Sequence, residues 1–232
     1  MILETRQLKA SYGASQILFG INLQVEKGET VCVLGRNGVG KTTTMRTVMG
    51  VLRPVGGSVL YNETEIGALP SYKISRLGIA YIPQGRQIFP TLTTRENLSI
   101  AARKGDRNAS QWTIQGIYDI FPVLKNRENF KGGALSGGEQ QMLSIARGLM
   151  QNPKLLLMDE VFEGLAPIVI QEIMGVVNRL KESGISILIS EQSVKFATEI
   201  AGRCYILEKG QVVYKGNTAE LPREVVMKYL GI

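Results

Sequence analysis

The chain has 232 residues, of which 44% are hydrophobic and 20% are charged, and its formal net charge is +7. This is the composition of an ordinary globular protein, and it excludes a collagen-like, low-complexity or disordered chain. No apolar run reaches the ~18 residues that span a bilayer, and the first residues carry an acid where a secretory signal would be basic. Because the chain has no histidine, no imidazole can serve as a base, a switch or a metal ligand.

The basic residues are scattered, with short clusters such as Arg103, Lys104 and Arg107. This pattern favours a solvated basic surface over a nucleic-acid footprint. The two cysteines, Cys32 and Cys204, each lie in an apolar stretch that is typical of a strand. We therefore expect buried, reduced thiols in a cytosolic protein rather than a disulfide framework.

The first 34 residues contain short alternating runs with turn signals at Gly13 and Gly28, and they predict antiparallel strands. The apolar run Thr30–Leu34 predicts a buried strand, which a glycine-rich turn joins to a helix over Lys41–Val48. Four later apolar runs, bounded by glycine, proline or acid, predict buried parallel strands. They are Ile79–Ile82, Leu155–Met158, Ile185–Ile189 and Tyr205–Leu207.

Helical patterns lie between these strands, and one of them begins at Pro167, because proline is favoured at the first position of a helix. Strands that alternate with helices predict an α/β fold. About seventy residues separate the strand at Ile79–Ile82 from the strand at Leu155–Met158. Their helical pattern, interrupted by polar turns at 105–110 and 129–133, predicts an inserted helical lobe.

A phosphate cradle follows the strand that ends at Leu34. The sequence Gly35-Arg36-Asn37-Gly38-Val39-Gly40-Lys41-Thr42 matches Gly-x4-Gly-Lys-Ser/Thr between a strand and a helix. Its backbone N–H groups can surround phosphate oxygens, and the helix dipole adds to the attraction. Lys41 supplies charge to the β- and γ-phosphates, the Thr42 hydroxyl binds Mg²⁺, and Thr43 adds a hydrogen bond near the α-phosphate. The alternative is a glycine-rich turn that only caps a helix.

Two carboxylates follow the strand Leu155–Met158. Asp159 and Glu160 stand at the carboxyl end of this strand, where ligands of α/β sheets bind. Behind a phosphate cradle, we expect Asp159 to hold the Mg²⁺ shell through water and Glu160 to act as general base toward the attacking water. The alternative is a pair of ordinary surface acids.

A second glycine cluster, Leu135-Ser136-Gly137-Gly138-Glu139-Gln140, precedes an apolar helix face. Ser136 and Glu139 fit a capping box, which is the purely structural interpretation. Two consecutive glycines in a first helical turn cost roughly 1 kcal/mol each relative to alanine, so close approach to an anion explains them better. Because the chain has one phosphate cradle, this second helix start predicts a site that two chains close together.

These motifs, together with Gln84 after Tyr-Ile-Pro, resemble the nucleotide-binding subunit of ATP-binding cassette transporters over essentially the whole chain. The resemblance implies a P-loop NTPase core at residues 1–85 and 150–232, with a mixed sheet flanked by helices and an antiparallel β subdomain. The helical lobe would span about 86–149. It also implies a head-to-tail dimer that encloses two ATP molecules with Mg²⁺. The nucleotide-binding residues of the second cluster would be Ser136, Gly137, Gly138 and Glu139.

Other roles follow from the same resemblance. Tyr12 matches the aromatic residue that stacks on adenine, although by itself it would be a half-buried strand residue. Gln84 matches the glutamine that senses Mg²⁺ and the attacking water while its loop meets the membrane subunit. The apolar residues Ile88–Pro90 would then contact that partner, with core packing as the open alternative.

Three positions depart from the family pattern, and one of them is Val161, where many members carry proline. Gln192 stands where most cassettes carry a switch histidine, and it can hydrogen-bond to the γ-phosphate without carrying charge. Ala166 stands near a position that is Asp in many members, so the usual contact of that Asp between subunits is in doubt. Glu-Gly-Leu-Ala-Pro, the Glu-Gln pair and the Tyr-Leu-Gly-Ile terminus are similar to a bacterial subfamily that takes up branched-chain amino acids and small amides. The segment 83–90 favours its urea and amide branch.

The leading hypothesis is therefore an ATPase subunit of an importer, bound peripherally at the cytoplasmic face of the plasma membrane. Its partners would be transmembrane permease subunits, an identical or paralogous second ATP-binding subunit and, indirectly, a periplasmic solute-binding protein, with no nucleic acid. A soluble cassette ATPase acting on nucleic acid or ribosomes is the competing class, although such proteins generally carry two cassettes or a coiled-coil insertion. A monomeric nucleotide kinase would leave the second glycine cluster unexplained.

Overall fold

The computed structural model describes residues 1–102 and 112–231, so the basic cluster at 103–107 and the predicted turn at 105–110 lie outside the described residues. The strands are β1 (Leu3–Tyr12), β2 (Ser15–Val25), β3 (Thr30–Leu34), β4 (Pro54–Tyr61), β5 (Thr64–Glu65), β6 (Ile79–Ile82), β7 (Leu155–Asp159), β8 (Ser186–Glu191), β9 (Arg203–Glu208) and β10 (Gln211–Asn217). The α-helices are α1 (Lys41–Val48), α2 (Ser71–Arg76), α3 (Thr94–Ala101), α4 (Ile114–Ile120), α5 (Pro122–Asn126), α6 (Gly137–Leu149), α7 (Pro167–Glu182), α8 (Val194–Ile200) and α9 (Arg223–Tyr229). Short 3₁₀ turns lie at Gly132–Ala134 and Thr218–Glu220.

The strands form two sheets. One is antiparallel, in the order β2-β1-β4-β5, and the other has the order β10-β9-β3-β8-β7-β6. In the second sheet the five strands β9, β3, β8, β7 and β6 are parallel to one another. The edge strand β10 is antiparallel to β9. The predicted α/β fold, with a mixed sheet and a separate antiparallel sheet, is confirmed. The predicted parallel strands are also confirmed, although β7 and β8 continue by one or two residues past the apolar runs, into polar residues.

Strand β3 shows how the parallel sheet divides the core. Val31 and Val33 face a cluster between the two sheets, whereas Cys32 and Leu34 face a second cluster under the helices. Since both faces are covered, a strand in this position is apolar at nearly every residue and does not alternate. Both cysteines are buried and free, as predicted, and burial raises the pKa of each thiol, to about 11 for Cys204.

The helices between β6 and β7 pack on one another around α6. Both α3 and α5 contact α6, and α6 also lies against β6. Helix α7 begins at Pro167, as the sequence predicts. None of the helices that the structure describes has the length and hydropathy of a membrane-spanning segment.

Candidate functional site

Four parallel strands end at the same edge of the second sheet and carry the predicted site residues there. The phosphate cradle follows β3, Gln84 lies two residues after β6, Asp159 ends β7, and Gln192 follows β8. The carboxyl ends of parallel strands share one edge, so residues far apart in sequence meet at this point. The sheet therefore brings the cradle, the two carboxylates and both glutamines together.

The cradle runs from Gly35 to Gly40 and leads directly into α1. Gly40 precedes the helix with φ of 109°, and a Cβ there would lie 2.8 Å from Leu18 Cδ2, so glycine is required. Lys41 is 3% exposed. Its Nζ donates to the carbonyls of Gly35 at 2.7 Å and Arg36 at 2.9 Å, and it forms an ion pair with Glu160 Oε1 at 2.9 Å.

Asp159 is fully buried and receives three hydroxyl hydrogen bonds. Ser190 Oγ donates to its Oδ1 at 2.5 Å and Thr42 Oγ1 donates to the same atom at 3.2 Å, while Tyr81 OH donates to Oδ2 at 3.0 Å. Burial, followed by the nearby Asp159 charge, raises the pKa of Tyr81, so its phenol remains a donor. A buried carboxylate with this set of donors is held in one orientation.

This group of oxygens fits a magnesium ion. The Thr42 hydroxyl, in the first turn of α1, donates to the Asp159 carboxylate at the end of β7. Mg²⁺ takes oxygen ligands, typically one or two from protein side chains and the rest from water and phosphate. Gln84 brings an amide group to the same edge. Thr42, Asp159 and Gln84 could therefore hold Mg²⁺, which would neutralise charge on the phosphates of a bound nucleotide.

Glu160 directly follows β7 with φ of 48°, a conformation that few non-glycine residues adopt. Its backbone N–H donates to the carbonyl oxygen of Ser190 at 3.2 Å and to Ser190 Oγ at 3.1 Å, which holds the turn. One carboxylate oxygen contacts Lys41, and the other accepts from Gln84 Nε2 at 3.1 Å and from Gln192 Nε2 at 3.5 Å. Side chains from three separate parts of the chain, Lys41, Gln84 and Gln192, thus surround this carboxylate.

Gln192 also ties the cradle to the end of β8. Its Nε2 donates to Asn37 Oδ1 at 2.7 Å, a bond much shorter than the one to Glu160. A neutral amide makes these contacts without adding charge. Thr43 is buried in the first turn of α1. Tyr12 ends β1 with 43% of its surface exposed, and its hydroxyl accepts from Arg46 Nη1 at 3.4 Å, so its ring is available for contact.

The second glycine cluster begins α6 in a capping box. Ser136 Oγ accepts from the Glu139 N–H at 3.3 Å, and the Glu139 carboxylate accepts from the Ser136 N–H at 2.7 Å. A Cβ on Gly138 would lie 2.7 Å from Val169 Cγ2, and one on Gly137 would meet the Arg86 guanidinium. Packing within the chain is therefore a second reason for these glycines, besides the approach of an anion.

The structure separates the two predicted halves of the site. Among residues 1–102 and 112–231, no hydrogen bond or ion pair joins residues 136–139 to Lys41, Asp159 or Glu160. The cluster is linked instead to the Gln84 loop, since Arg86 Nη1 donates to Gln140 Oε1 at 3.3 Å. One chain thus presents a cradle with its acids and, elsewhere, a helix start whose Ser136 is exposed.

Sequence reasoning missed three residues that complete the site. Ser190 bonds both Asp159 and the Glu160 backbone, Tyr81 bonds Asp159, and Glu163 Oε2 accepts from Gln84 Nε2 at 2.6 Å. Ser190 and Tyr81 lie on strands next to β7, so their position near the strand end is the signal that could have indicated them.

A groove of about 640 Å³ lies beside this site. Its lining includes Arg46, Met49, Tyr81, Phe89, Ile100 and Arg147. Residues 88–90 do not all follow one of the two alternatives, partner contact or core packing. Ile88 packs against the core, whereas Phe89 is 43% exposed. The Arg147 guanidinium lies 4.4 Å from the Phe89 ring centre and donates to the Gln87 carbonyl at 2.7 Å.

Comparison with known proteins identifies the family. The model of the ABC transporter family matches residues 18–163. BraG of Pseudomonas aeruginosa, a high-affinity branched-chain amino acid transport ATP-binding protein, is 41% identical over 90% of this chain and 90% of its own length. LptB of Escherichia coli K12, a lipopolysaccharide export system ATP-binding protein, is 32% identical over 99% of this chain and 97% of its own.

A solved structure leads to the same family. The structure of an ATP-binding subunit of an ABC transporter covers 100% of this chain and 97% of its own, with a TM-score of 0.85 at 27% identity. Two named transport ATP-binding proteins and a solved cassette structure thus match this chain along almost their whole length. The chain belongs to the ABC transporter family and is one of its ATP-binding, ATP-hydrolysing subunits.

Proposed function

We propose that this subunit powers a bacterial importer of branched-chain amino acids or of related small amides such as urea. The 41% identity to BraG, against 32% to the export protein LptB, supports uptake rather than export. The Glu191-Gln192 pair supports the branched-chain amino acid and amide subfamily as a whole, and the segment 83–90 supports its amide and urea branch. The subunit would lie at the cytoplasmic face of the plasma membrane, bound to a permease that spans this membrane.

The ion pair between Lys41 and Glu160 is the observation on which the proposed mechanism rests. An ammonium group has three N–H donors, and those of Lys41 already have three acceptors, namely two cradle carbonyls and Glu160. A phosphate oxygen can bind Nζ only when one acceptor is released. Glu160 is the acceptor on a rotatable side chain, so binding of the γ-phosphate frees the carboxylate that must act next.

Released from Lys41, Glu160 can accept a proton from the water that attacks the γ-phosphorus, and ADP and phosphate are the products. Gln84 and Gln192 both donate to the free oxygen of this carboxylate and would orient it toward that water. Thr42 and Asp159 would hold Mg²⁺ against the phosphates. Tyr12, at the exposed end of β1, would stack on the adenine.

A second cassette would supply the other half of the site. The N–H groups at the start of α6 and the Ser136 hydroxyl are suited to a phosphate, and they lie apart from the cradle of their own chain. A head-to-tail pair, of identical or paralogous chains, places each helix start on the partner's nucleotide. Two ATP molecules are then enclosed between two subunits.

The groove beside the Gln84 loop is the proposed contact with the permease. Phe89 and Ile100, which is 64% exposed, place apolar surface there next to the Arg147 guanidinium. Exposed apolar side chains gathered in one groove are typical of a protein contact. Gln84 precedes Phe89 by five residues, so a movement at the permease contact can reach the carboxylate of Glu160.

Glu160→Gln tests the mechanism. The variant should bind ATP with Mg²⁺ and accumulate as a dimer, whereas its turnover should fall by ~10²- to 10⁴-fold because the general base is lost. Dimer formation is measured by size-exclusion chromatography with light scattering, and turnover by phosphate release. Glu182→Gln, on the exposed end of α7, is the matched control and should behave as wild type. Normal hydrolysis by Glu160→Gln would remove this residue from the mechanism.

The solute requires a separate experiment. The subunit is co-purified with its permease and solute-binding protein and reconstituted in vesicles, and ATP-dependent uptake of leucine and of urea is compared. Uptake of one or the other identifies the branch. ATP-dependent release of lipid instead of uptake would contradict the proposed importer.

A further inference from the structure

Glu191 is a buried carboxylate to which the mechanism above gives no role. It ends β8 with 5% of its surface exposed, and it pairs with Leu34, the last residue of the strand before the cradle. Its backbone carbonyl accepts from the Gly35 N–H at 3.3 Å. One side-chain oxygen accepts from the Gln192 N–H at 3.2 Å, and the other, Oε1, has no hydrogen-bond partner among the described residues.

The charged and titratable groups that act on Glu191 come from each element around it. They are Glu160 after β7, Lys41 at the start of α1 and the neutral thiol of Cys32 on β3. Burial raises the pKa of Glu191 most and Glu160 adds to it, whereas the Gln192 and Phe162 backbone N–H groups and Lys41 lower it, which leaves it at about 7. The charge of Lys41 therefore acts on two carboxylates, and it forms an ion pair with one of them, Glu160.

We propose that Glu191 is a positioning residue that sets, by gaining or losing one proton, how strongly Lys41 binds the terminal phosphate of ATP. Protonated, it leaves Lys41 and Glu160 as a balanced pair. Ionised, it adds a second negative charge to a buried site that must also admit the phosphates. This inference rests on the roles proposed above for Lys41 and Glu160.

The sign of the effect follows from linkage. Negative phosphates disfavour the ionised form of Glu191, so nucleotide binding raises the pKa of this residue and takes up a proton. Nucleotide affinity should then fall as the pH rises through about 7. One linked proton changes the dissociation constant by at most ~10-fold per pH unit.

Glu191→Gln provides the test, because glutamine keeps the shape and removes the titration. The probe is Mg²⁺ with the β,γ-imido analogue of ATP, and its dissociation constant is measured at several pH values on either side of neutrality. For the wild type we expect affinity to weaken by roughly 3- to 10-fold between the acidic and the alkaline ends. The variant should match the wild type at the acidic end and lack the additional weakening of the wild type toward the alkaline end. Glu182→Gln should follow the wild type.

Proton uptake provides a second measurement. Calorimetric titrations at mildly alkaline pH in two buffers of different ionisation enthalpy give the protons taken up on binding. The wild type should take up more than Glu191→Gln, and protonation of the analogue itself cancels in this difference. Equal uptake, or an unchanged pH slope in the variant, would overturn the inference. If Glu191→Gln does not fold, Glu191→Met, of similar volume and without charge, should show the same reduced dependence of affinity on pH.

The variant Lys41→Ala distinguishes failure of the proposed role of Glu191 from failure of the proposed role of the cradle. If Lys41→Ala abolishes binding of the analogue while Glu191→Gln keeps the wild-type pH slope, the inference about Glu191 alone is wrong. If Lys41→Ala binds the analogue as tightly as the wild type, the assignment of the cradle itself is wrong, and the role of Glu191 is lost with it.

Discussion

Replacing Ser190 by alanine would remove one hydroxyl that supports both acids of the site. Ser190 lies on β8 and is fully buried. Its Oγ donates to Asp159 Oδ1 at 2.5 Å and accepts from the Glu160 N–H at 3.1 Å. The substitution leaves a space of one oxygen atom and introduces no new group, so its effect reports on these two bonds.

The expected loss can be estimated from the two contacts. A hydrogen bond to a buried charged group contributes about 1.5–3 kcal/mol, and the Glu160 N–H keeps the Ser190 carbonyl as acceptor. We therefore expect the free energy of unfolding to fall by about 2–3 kcal/mol. For a chain of this size that corresponds to a decrease in Tm of about 4–12 °C.

The assays are thermal unfolding followed by circular dichroism and ATP turnover as a function of Mg²⁺ concentration. Because Asp159 loses one of its three hydroxyl donors, Ser190→Ala should need more Mg²⁺ for half-maximal turnover. Ser183→Ala is the control, since that exposed serine makes one bond to a helix carbonyl at 2.7 Å, and it should change Tm by less than half as much. Wild-type Tm and Mg²⁺ requirement in Ser190→Ala would refute the reasoning.

Two further predictions follow. Gly138→Ala should lower the free energy of unfolding by about 1–3 kcal/mol, because its Cβ would lie 2.7 Å from Val169 Cγ2. Adding Val169→Ala should restore stability in chemical denaturation; if the double variant also regains full ATP turnover, the glycine serves packing alone and not an anion. Burial raises the pKa of Glu29, but the Arg203 hydrogen bonds, the Glu26 backbone N–H and the charges of Arg203 and Lys215 together outweigh it, and the net pKa is lowered. The ion pair therefore stabilises the fold at pH values above the ordinary pKa of 4.5, and this stabilisation is lost as the pH falls below it. Glu29→Gln should therefore be about 1–2 kcal/mol less stable than wild type at pH 7, with the difference disappearing in acid; a difference that persists at low pH would contradict this assignment.

The sequence predicted the elements whose pattern is local. Thr30–Leu34 is a continuous apolar run before a glycine-rich turn, and both its strand and the helix Lys41–Val48 have the predicted limits. The strand Pro54–Tyr61 was not predicted, because its proline and two glycines are residues that usually interrupt strands. It forms because its partner β1 supplies an antiparallel edge, which depends on the whole sheet.

The site was predictable where a motif carries the chemistry. The cradle and the pair Asp159 and Glu160 could be identified from their residues, whereas Gln84 and Gln192 required the resemblance to a family. Ser190 has no motif at all. Its role depends on the register of β7 against β8, in which Asp159 stands opposite Ser190, and no local pattern contains that information.

A chain without histidine places particular demands on this site. Gln192 donates to Asn37 and Glu160 through a neutral amide. It can therefore link the position of the cradle to that of Glu160, but it cannot carry a proton. With no imidazole at the switch position, a carboxylate is the side chain suited to take the proton of the attacking water. Glu160 is the carboxylate that phosphate binding would release toward the water, and Glu191 is a second one, buried one residue before the switch position. If both assignments hold, substituting histidine at Gln192 should add a new titration to the pH profile of hydrolysis.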